Sequence, residues 1–285
     1  MAAVAAPFGR NLEACLRTIE QSLTAARARG AELVVFPESA LGGYVYEPHI
    51  PGTPLPVGAP PALSSDDEVI SRLIRMAGDT VVCVGYTEKG DRGTHSSAMC
   101  LSGDGVLGHH RKVHLPPAEV GVLEPGNGFA AFDTPLGRLG MLICYDKVFP
   151  EAARELALDG AEIIASLAAW PVSRRTPAAR TRRDREVRHF DLLDEARALE
   201  NQVVWVSANQ TGRFGRLRFP GHAKVVDPDG AVLAATGARR GMAVAEVDAL
   251  AAVTGARGDI SHLRDRRPGS YLLGQEAIPR RVAAA

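Results

Sequence analysis

The sequence GRLGMLICYDKVFPEAARELALDGAEII, residues 137–164, combines an apolar strand, a cysteine and a helix with a second apolar strand. Its apolar pattern predicts strands at 138–143 and 161–167 and a helix at 149–158. Cys144 follows the first strand directly, where a thiol is held rigidly beside the free backbone N–H groups of a turn. Such a position suits a nucleophile. Most buried free cysteines are inert apolar side chains, however, so this stretch taken alone favours a structural thiol.

The alternation of strands and helices continues along the rest of the chain. Further helices are predicted at 12–26, 66–77 and 184–201, and further strands at 32–36, 80–86, 97–101, 106–114, 129–133, 203–208, 222–227, 231–235 and 242–247. Several strands are apolar without interruption, as in sheets covered on both faces. Pro228-Asp229-Gly230 predicts a hairpin, so the sheets are expected to be mixed. We therefore predict an α/β layered protein in which the proline-rich residues 51–61 form an extended loop within one domain, residues 1–285.

Charge and composition exclude several classes of partner. The 285 residues include 33 Lys plus Arg and 33 Asp plus Glu, so the formal net charge is zero. No global field therefore attracts nucleic acid or an anionic membrane. Residues 174–188 contain seven arginines, but the interleaved Asp184 and Glu186 and the lack of aromatic residues predict a solvated loop that enters a helix.

The cysteines and the apolar segments predict the compartment. Cys15, Cys83, Cys100 and Cys144 are widely spaced, without a CxxC pair or a histidine cluster at zinc spacing. Reduced thiols and no bound metal are the simplest interpretation. The sequence also lacks an apolar run of about 18 residues and a signal-peptide pattern at its start. A cytoplasmic protein that binds neither membrane nor nucleic acid is predicted.

Three further polar residues lie near predicted strand ends or turns. Glu38 follows a buried strand, and a carboxylate at the tip of such a strand can accept a thiol proton. Arg111 and Lys112 lie on another predicted strand, and alternation places their side chains on opposite faces. Either residue could simply be a surface cation on an edge strand. Glu119 precedes a turn and taken alone is an ordinary loop carboxylate. None of the three would indicate chemistry by itself.

Taken together in the order Glu, Lys, Cys, these residues and their flanking motifs resemble the nitrilase or carbon-nitrogen hydrolase superfamily. The matching motifs are FPESALGGY (36–44), HRKVHLPPAE (110–119), EPG (124–126), the stretch 137–164 quoted above, ARALENQVVWVSANQTG (196–212), GHAKVVDPDGAVLA (221–234) and RRPGSY (266–271). Each motif is weak alone, but the order Glu-Lys-Cys with CYDxxFPE and ARALENQ is specific.

The resemblance assigns a role to each residue. Glu38 is expected to be the general base, Lys112 to stabilise the tetrahedral oxyanion, and Cys144 to be the nucleophile that is acylated. Glu119 matches the superfamily's second glutamate, which orients the lysine and the substrate nitrogen. The backbone N–H of Tyr145 is the expected second oxyanion donor. The reaction implied in this way needs no metal and no organic cofactor.

The resemblance also implies a fold and an assembly. The expected fold is a four-layer α-β-β-α sandwich, nitrilase-like, with two mixed sheets face to face and helices outside. Members commonly pair through helices near the nucleophile, so we expect a homodimer or higher homo-oligomer with 149–158 and the C-terminal tail, residues 265–285, at its interface. Two features depart from the pattern: the first strand has only AAVAAP to form it, and Ala223 replaces a usual serine.

Residues around the nucleophile bear on the substrate. Tyr145 after the cysteine is typical of amide hydrolases in the superfamily and favours a small linear amide, hydrolysed to a carboxylic acid and ammonia through an acyl-thioester. Lys147 matches a position where some carbamoyl hydrolases hold a substrate carboxylate with Arg, although a salt bridge beside the helix is equally consistent. Tyr44, Phe149 and Trp170 are candidates for the wall of the substrate pocket.

Other functions stay open at the level of sequence. An N-carbamoyl amide hydrolase would release carbon dioxide together with ammonia, and a nitrilase would convert a nitrile to an acid, although Tyr145 argues against the latter. A catalytically silent scaffold of the same fold is the alternative outside enzymes. It is disfavoured because a chain without chemistry has no reason to retain all four reactive positions in order.

Overall fold

The computed structural model describes residues 1–44 and 58–271. Within these residues the helices are α1 (Leu12–Arg27), α2 (Glu68–Ala77), α3 (Pro150–Leu158), α4 (Arg185–Asn201) and α5 (Ala249–Ala256), with 3₁₀ turns at Cys144–Val148, Thr181–Arg183 and Pro268–Ser270. The strands are β1 (Ala2–Ala6), β2 (Leu33–Val35), β3 (Ala62–Leu63), β4 (Val81–Lys89), β5 (Thr94–Ser102), β6 (Gly105–Arg111), β7 (Phe132–Thr134), β8 (Gly137–Ile143), β9 (Ile163–Ala168), β10 (Val204–Phe214), β11 (Leu217–Pro220), β12 (Lys224–Val226), β13 (Val232–Ala235) and β14 (Gly241–Val244).

The strands are arranged in two mixed halves that meet at β1 and β10. Their order is β6-β5-β4-β2-β1-β10-β9-β8-β7, and β14, β3, β11 and the β12–β13 pair attach to this path. The junction is short, because Ala5 pairs with Asn209 and Ala6 with Gln210 in parallel register. We refer to β1, β2, β4, β5 and β6 as the first sheet and to β7–β10 as the second sheet. Hydrogen bonds between β1 and β10 therefore connect the strands of the two halves into one path.

Alternate residues of both sheets fill one shared inner core. Leu33 of the first sheet and Ile163 of the second belong to it, and both side chains are fully buried. Their neighbours Val34 and Ile164 point the other way, into separate outer cores. Successive side chains of a strand alternate between faces, so the two sheets must lie face to face to share the inner core.

Helices cover the outer face of each sheet. Leu16 of α1 and Leu73 of α2 pack into the outer core of the first sheet. Leu156 of α3 and Ala198 of α4 pack into the outer core of the second sheet. The layers therefore run helix, sheet, sheet, helix, and the predicted α-β-β-α sandwich is confirmed. This arrangement explains why several strands are apolar without interruption, because both of their faces are buried.

The predicted helices at 12–26, 66–77, 149–158 and 184–201 are all present, with ends within two residues of the prediction. Four elements were missed: the short strands β3 and β11, helix α5 and strand β1. Helix α5 contains Thr254 and Gly255, which are poor helix formers, and it buries few side chains, so its periodicity is weak. Strand β1 looked incomplete, yet it is a central strand whose five residues are buried. Its alanines match a narrow space between sheets and helices.

Some of the expectations concern residues that the structure does not describe, and the expected arrangement of the sheets is refined. Most of the proline-rich loop, through residue 57, and the tail beyond residue 271 lie outside the described residues. The two sheets were expected as separate layers, whereas β1 and β10 link them into one hydrogen-bonded path. Over the ranges 1–44 and 58–271, no helix has both the length and the apolar character to cross a membrane.

Candidate active site

Two carboxylates from separate segments of the chain meet at one buried lysine. Glu38 follows β2, Lys112 follows β6, and Glu119 lies in the loop after it. The Nζ atom of Lys112 is 2.8 Å from Oε1 of Glu38 and 2.9 Å from each carboxylate oxygen of Glu119. All three residues are at most 1% exposed. The sequence-predicted base, cation and second glutamate are therefore one hydrogen-bonded cluster.

Glu38 is held by donors from three other elements. Its Oε1 also accepts a hydrogen bond from Oγ of Ser96 at 3.1 Å, and its Oε2 accepts one from the backbone N–H of Ala169 at 3.0 Å. Its carbonyl oxygen accepts from Nε2 of Gln210 at 3.1 Å. Sequence reasoning missed these partners, because each lies on a strand remote from Glu38 in the chain. The carboxylate is consequently fixed in one orientation.

Close backbone packing sets where Glu38 lies. A Cβ atom at Gly85 of β4 would be 2.7 Å from Cα of Glu38 and 2.7 Å from the backbone N of Ser39. Ser39 itself has a φ of 55°, in the left-handed region that non-glycine residues rarely adopt. The glycine lets the turn after β2 approach β4 closely enough to direct the carboxylate toward Lys112.

A second close approach fixes Lys112. The backbone N–H of Gly126 donates to the carbonyl of Lys112 at 2.7 Å, and a Cβ at Gly126 would lie 2.2 Å from the carbonyl oxygen of Arg111. The EPG motif thus packs against the end of β6 and holds the backbone of Lys112 in place. Burial alone would lower the pKa of Lys112, but the charges of Glu38 and Glu119 raise it above its ordinary value. The lysine is an ammonium at neutral pH.

Glu119 and Tyr44 complete the cluster. The hydroxyl of Tyr44 donates a hydrogen bond to Oε1 of Glu119. Burial, together with the negative charges of Glu119 and Glu38, raises the pKa of Tyr44 well above its ordinary value, so the phenol keeps its proton. Burial also raises the pKa of Glu119, an effect that the Lys112 ammonium opposes.

Cys144 lies at the end of β8 with a strained backbone. Its φ is 48°, and its side chain is 7% exposed, at the base of a cavity of about 900 Å³. Burial and then the charge of Glu38 raise the pKa of the thiol well above its ordinary value, whereas Lys112 acts in the opposite direction. The Lys112 ammonium is shared with two carboxylates and only partly opposes this rise, so the thiol needs a base to become a nucleophile.

The 3₁₀ turn Cys144–Val148 is anchored by Asp146. Its carboxylate accepts hydrogen bonds from the backbone N–H of Ile143 at 3.1 Å and of His114 at 2.9 Å. Nε2 of His110 and Nδ1 of His114 each lie 3.0 Å from its oxygens. Burial would raise the pKa of Asp146, but these histidine contacts hold it below the usual range. The turn is thereby fastened to the strand that carries Lys112.

Helix α4 holds the other side of the turn. Nε of Arg197 donates to the carbonyl of Lys147 at 2.9 Å, and its NH2 group donates to that of Val148 at 2.9 Å. Nζ of Lys147 is 2.8 Å from Oδ1 of Asp194 and lies 3.1 Å above the centre of the Phe190 ring. Arg197 belongs to the ARALENQ motif, so this motif holds the turn after Cys144 from the side of α4.

Comparison with known proteins agrees with this arrangement. The sequence profile of carbon-nitrogen hydrolases matches residues 1–255. A nitrilase of Pyrococcus abyssi is 32% identical over 257 residues, 88% of this chain and 90% of the relative. An (R)-stereoselective amidase of Pseudomonas sp. is 32% identical over 241 residues, 84% of this chain and 81% of the relative.

A solved structure extends the match to three dimensions. It is a cysteine-to-alanine mutant of an amidase from Nesterenkonia sp. AN1 in complex with butyramide, with 25% sequence identity, a TM-score of 0.73 and 94% of each chain covered. The chain belongs to the carbon-nitrogen hydrolase family. It is therefore a hydrolase that acts on carbon-nitrogen bonds other than peptide bonds.

In this carbon-nitrogen hydrolase the cavity above Cys144 is mainly apolar. Tyr44 and Trp170, two of the three aromatic candidates for its wall, line it together with Tyr145. Sequence reasoning missed other lining residues, among them Val148, Leu193 and Leu217 and the charged residues Arg174, Arg175, Arg185, Glu186 and His189. Apart from Val148 in the turn after Cys144, these residues lie on the segment after β9, on α4 and on β11, whose positions relative to Cys144 no local pattern defines.

Two candidate substrate-binding residues do not line this cavity. Lys147 is fully buried and paired with Asp194, so the salt bridge, not an open carboxylate site, is the interpretation that the structure supports. Phe149 stacks on His114 with ring centres 3.7 Å apart and lines a separate cavity of about 490 Å³. Lys147 anchors the turn Cys144–Val148 to α4, and Phe149 packs against His114 at the end of this turn.

Replacing Gly85 with alanine tests the close packing behind Glu38. The added methyl group must displace the Glu38–Ser39 backbone, and a shift of about 1 Å in a reacting group can cost about 10²-fold in rate. We expect kcat to fall by roughly this factor while the circular dichroism spectrum is retained. Gly128→Ala, which would meet no atom within 4 Å, is the matched control. Equal activity of the two variants would show that the Gly85 contact is unimportant.

The raised pKa of Cys144 predicts a characteristic pH dependence. The rate of modification by methyl methanethiosulfonate should rise continuously from pH 7 to pH 9 and beyond, because only the thiolate reacts and burial keeps its fraction small. Intact-protein mass spectrometry measures the rate, and Cys144→Ala corrects for the three other cysteines. A plateau below pH 8 would show a thiolate at rest and contradict this assignment.

Proposed function

We propose that this hydrolase cleaves the C–N bond of a small linear amide and forms a carboxylic acid and ammonia through an acyl-thioester on Cys144. The observation that carries the proposal is the buried Lys112 ammonium, bound by Glu38 and Glu119, beside a neutral thiol at the base of a cavity. This is the set of groups that attack on an amide carbonyl needs: a nucleophile, a base and a cation.

The first step joins sulfur to the substrate carbonyl carbon. Glu38 takes the proton of the Cys144 thiol as the sulfur attacks, since a thiol with a raised pKa is a poor nucleophile without a base. The carbonyl oxygen becomes an oxyanion. Lys112 has three N–H bonds: one reaches Glu38, one is shared by the oxygens of Glu119, and the third is available for the oxyanion.

A second donor for the oxyanion is the backbone N–H of Tyr145. This residue is the second of the 3₁₀ turn Cys144–Val148, and the first N–H groups of a helical turn have no acceptor within it. One well-placed donor contributes about 3–4 kcal/mol to the stabilisation of such an intermediate. The hydrogen bonds of Asp146 and Arg197 to the turn keep this N–H in place.

Collapse of the intermediate breaks the C–N bond. Glu38 returns its proton to the leaving nitrogen, and ammonia departs from the acyl-thioester. A water molecule then loses a proton to Glu38 and attacks the thioester carbon, which releases the carboxylic acid and restores the thiol. Glu119 and the hydroxyl of Tyr44 keep the Lys112 ammonium oriented through both half-reactions.

The amide substrate is supported by the relatives named amidases and by the neighbour solved with butyramide. A panel of linear amides that includes butyramide tests it by ammonia release, with and without a chelator. Cys144→Ala should lose at least about 10³-fold in kcat/KM, because the nucleophile is removed. Intact mass spectrometry during turnover should show the added acyl group on the wild-type protein. Unchanged turnover by Cys144→Ala would refute the mechanism.

The same assay separates the other reactions. A relative named nitrilase gives reason to include an aliphatic nitrile, and stoichiometric acid from it would establish nitrile hydrolysis. Carbon dioxide released from an N-carbamoyl substrate, without turnover of plain amides, would establish the carbamoyl alternative. A silent scaffold predicts no turnover and no labelling of Cys144 by any of these compounds.

We also propose a homodimer that buries the outer face of α3. Leu158 at the end of this helix is 45% exposed, and Leu199 on the adjoining α4 is 46% exposed. Large exposed apolar side chains on neighbouring helices are typical of interfaces. Light scattering after gel filtration should give twice the chain mass of 30.2 kDa, and a monomer at micromolar concentration would refute this assembly.

A further inference from the structure

The cavity above Cys144 has a basic mouth that the reaction chemistry does not use. Arg174, Arg175 and Arg185 all line it. They belong to the arginine-rich residues 174–188, which the sequence indicated only as a solvated loop. Arginines that are merely solvated need not line a cavity, whereas these three line the cavity that contains Cys144.

The backbone that carries Arg174 and Arg175 is fixed to the cavity wall. The N–H of Trp170 donates to Oδ1 of Asn209 at 2.8 Å, and that of Val172 donates to the carbonyl of Arg218 at 2.9 Å. The N–H of Ser173 donates to Oδ1 of the buried Asp184 at 2.9 Å. The two arginines therefore extend from an anchored segment directly beside Trp170.

These two guanidinium groups are available to a ligand. Arg174 and Arg175 are exposed, and neither has an ion pair or hydrogen bond with the described residues. Glu186, the one carboxylate among the described lining residues, is bound to Arg185 at 2.7 Å and lies 3.8 Å from His189. Its negative charge is thus already offset, and the mouth has a net positive charge.

The base of the cavity has the opposite character. Glu38 and Glu119 carry two negative charges there against the single positive charge of Lys112. A substrate carboxylate would be repelled at that end and attracted at the mouth. Trp170, Leu193 and Leu217 also line the cavity and provide apolar surface for a short methylene chain.

We propose that Arg174 and Arg175 bind a carboxylate at the end of the substrate remote from the reacting amide. This inference rests on the amide hydrolysis proposed above. The substrate class is then the monoamide of a short unbranched dicarboxylic acid. Arginine suits this role because its planar guanidinium binds both oxygens of a carboxylate. Lys147, the other cation considered for a substrate carboxylate, is engaged by Asp194.

A matched pair of amides tests the proposal. Glutaramate carries a carboxylate opposite its amide, whereas pentanamide has the same five-carbon chain and ends in a methyl group. Wild-type enzyme should show a higher kcat/KM on glutaramate. In Arg174→Gln/Arg175→Gln the KM for glutaramate should rise at least about tenfold, with kcat and all values for pentanamide unchanged, because one charge-assisted contact of this kind is worth about a factor of ten or more.

Arg182→Gln/Arg183→Gln is the control, since these exposed arginines lie in the same segment but not on the cavity. It should leave both substrates unaffected, and melting temperatures verify that each variant folds. Cys144-dependent turnover of pentanamide without preference for glutaramate, or equal losses in the two double variants, would overturn the carboxylate site and leave the amidase function standing. No Cys144-dependent turnover of any amide would overturn both.

Discussion

The Lys112 ammonium, fully buried between Glu38 and Glu119, is the interaction on which the rest of the site depends. Charges removed from water are tolerated only when each is paired and hydrogen-bonded, and removing one partner of such a group typically costs about 3–5 kcal/mol. Three segments of the chain must therefore end at one point with little freedom. The backbone N–H of Ala169 satisfies the second oxygen of Glu38, and the hydroxyl of Tyr44 adds a hydrogen bond to Oε1 of Glu119.

A second buried charge cluster plays the same part for the nucleophile turn. Asp194 of α4 accepts from Lys147, from Lys224 of β12 and from Nε1 of Trp205. Burial would raise the pKa of Asp194, but the two ammonium groups lower it. Burial lowers the pKa of Lys147 to about 8, even with Asp194 opposing that shift. Lys147, three residues after Cys144, is thus a structural anchor in this chain.

Much of the fold was predictable because its strands and helices carry strong local patterns. Buried strands such as 139–143 are continuously apolar, and α1 has its apolar residues on one face. The order of Glu38, Lys112 and Cys144 within recognisable motifs also allowed the reactive residues to be identified. Strand β1 and helix α5 were harder, because a run of alanines and a short helix with Thr254 and Gly255 give weak periodicity.

The sequence by itself determined most of the elements, the family resemblance and the candidates for the reactive side chains, since these depend on residue types at short spacings. Only the tertiary structure decided which partners hold Glu38, that burial raises the pKa of the Cys144 thiol, and that Lys147 faces Asp194. Only it placed Arg174 and Arg175 on the cavity. The physical reason is that pKa values, ion pairs and cavity walls depend on burial and on contacts between residues far apart in the chain.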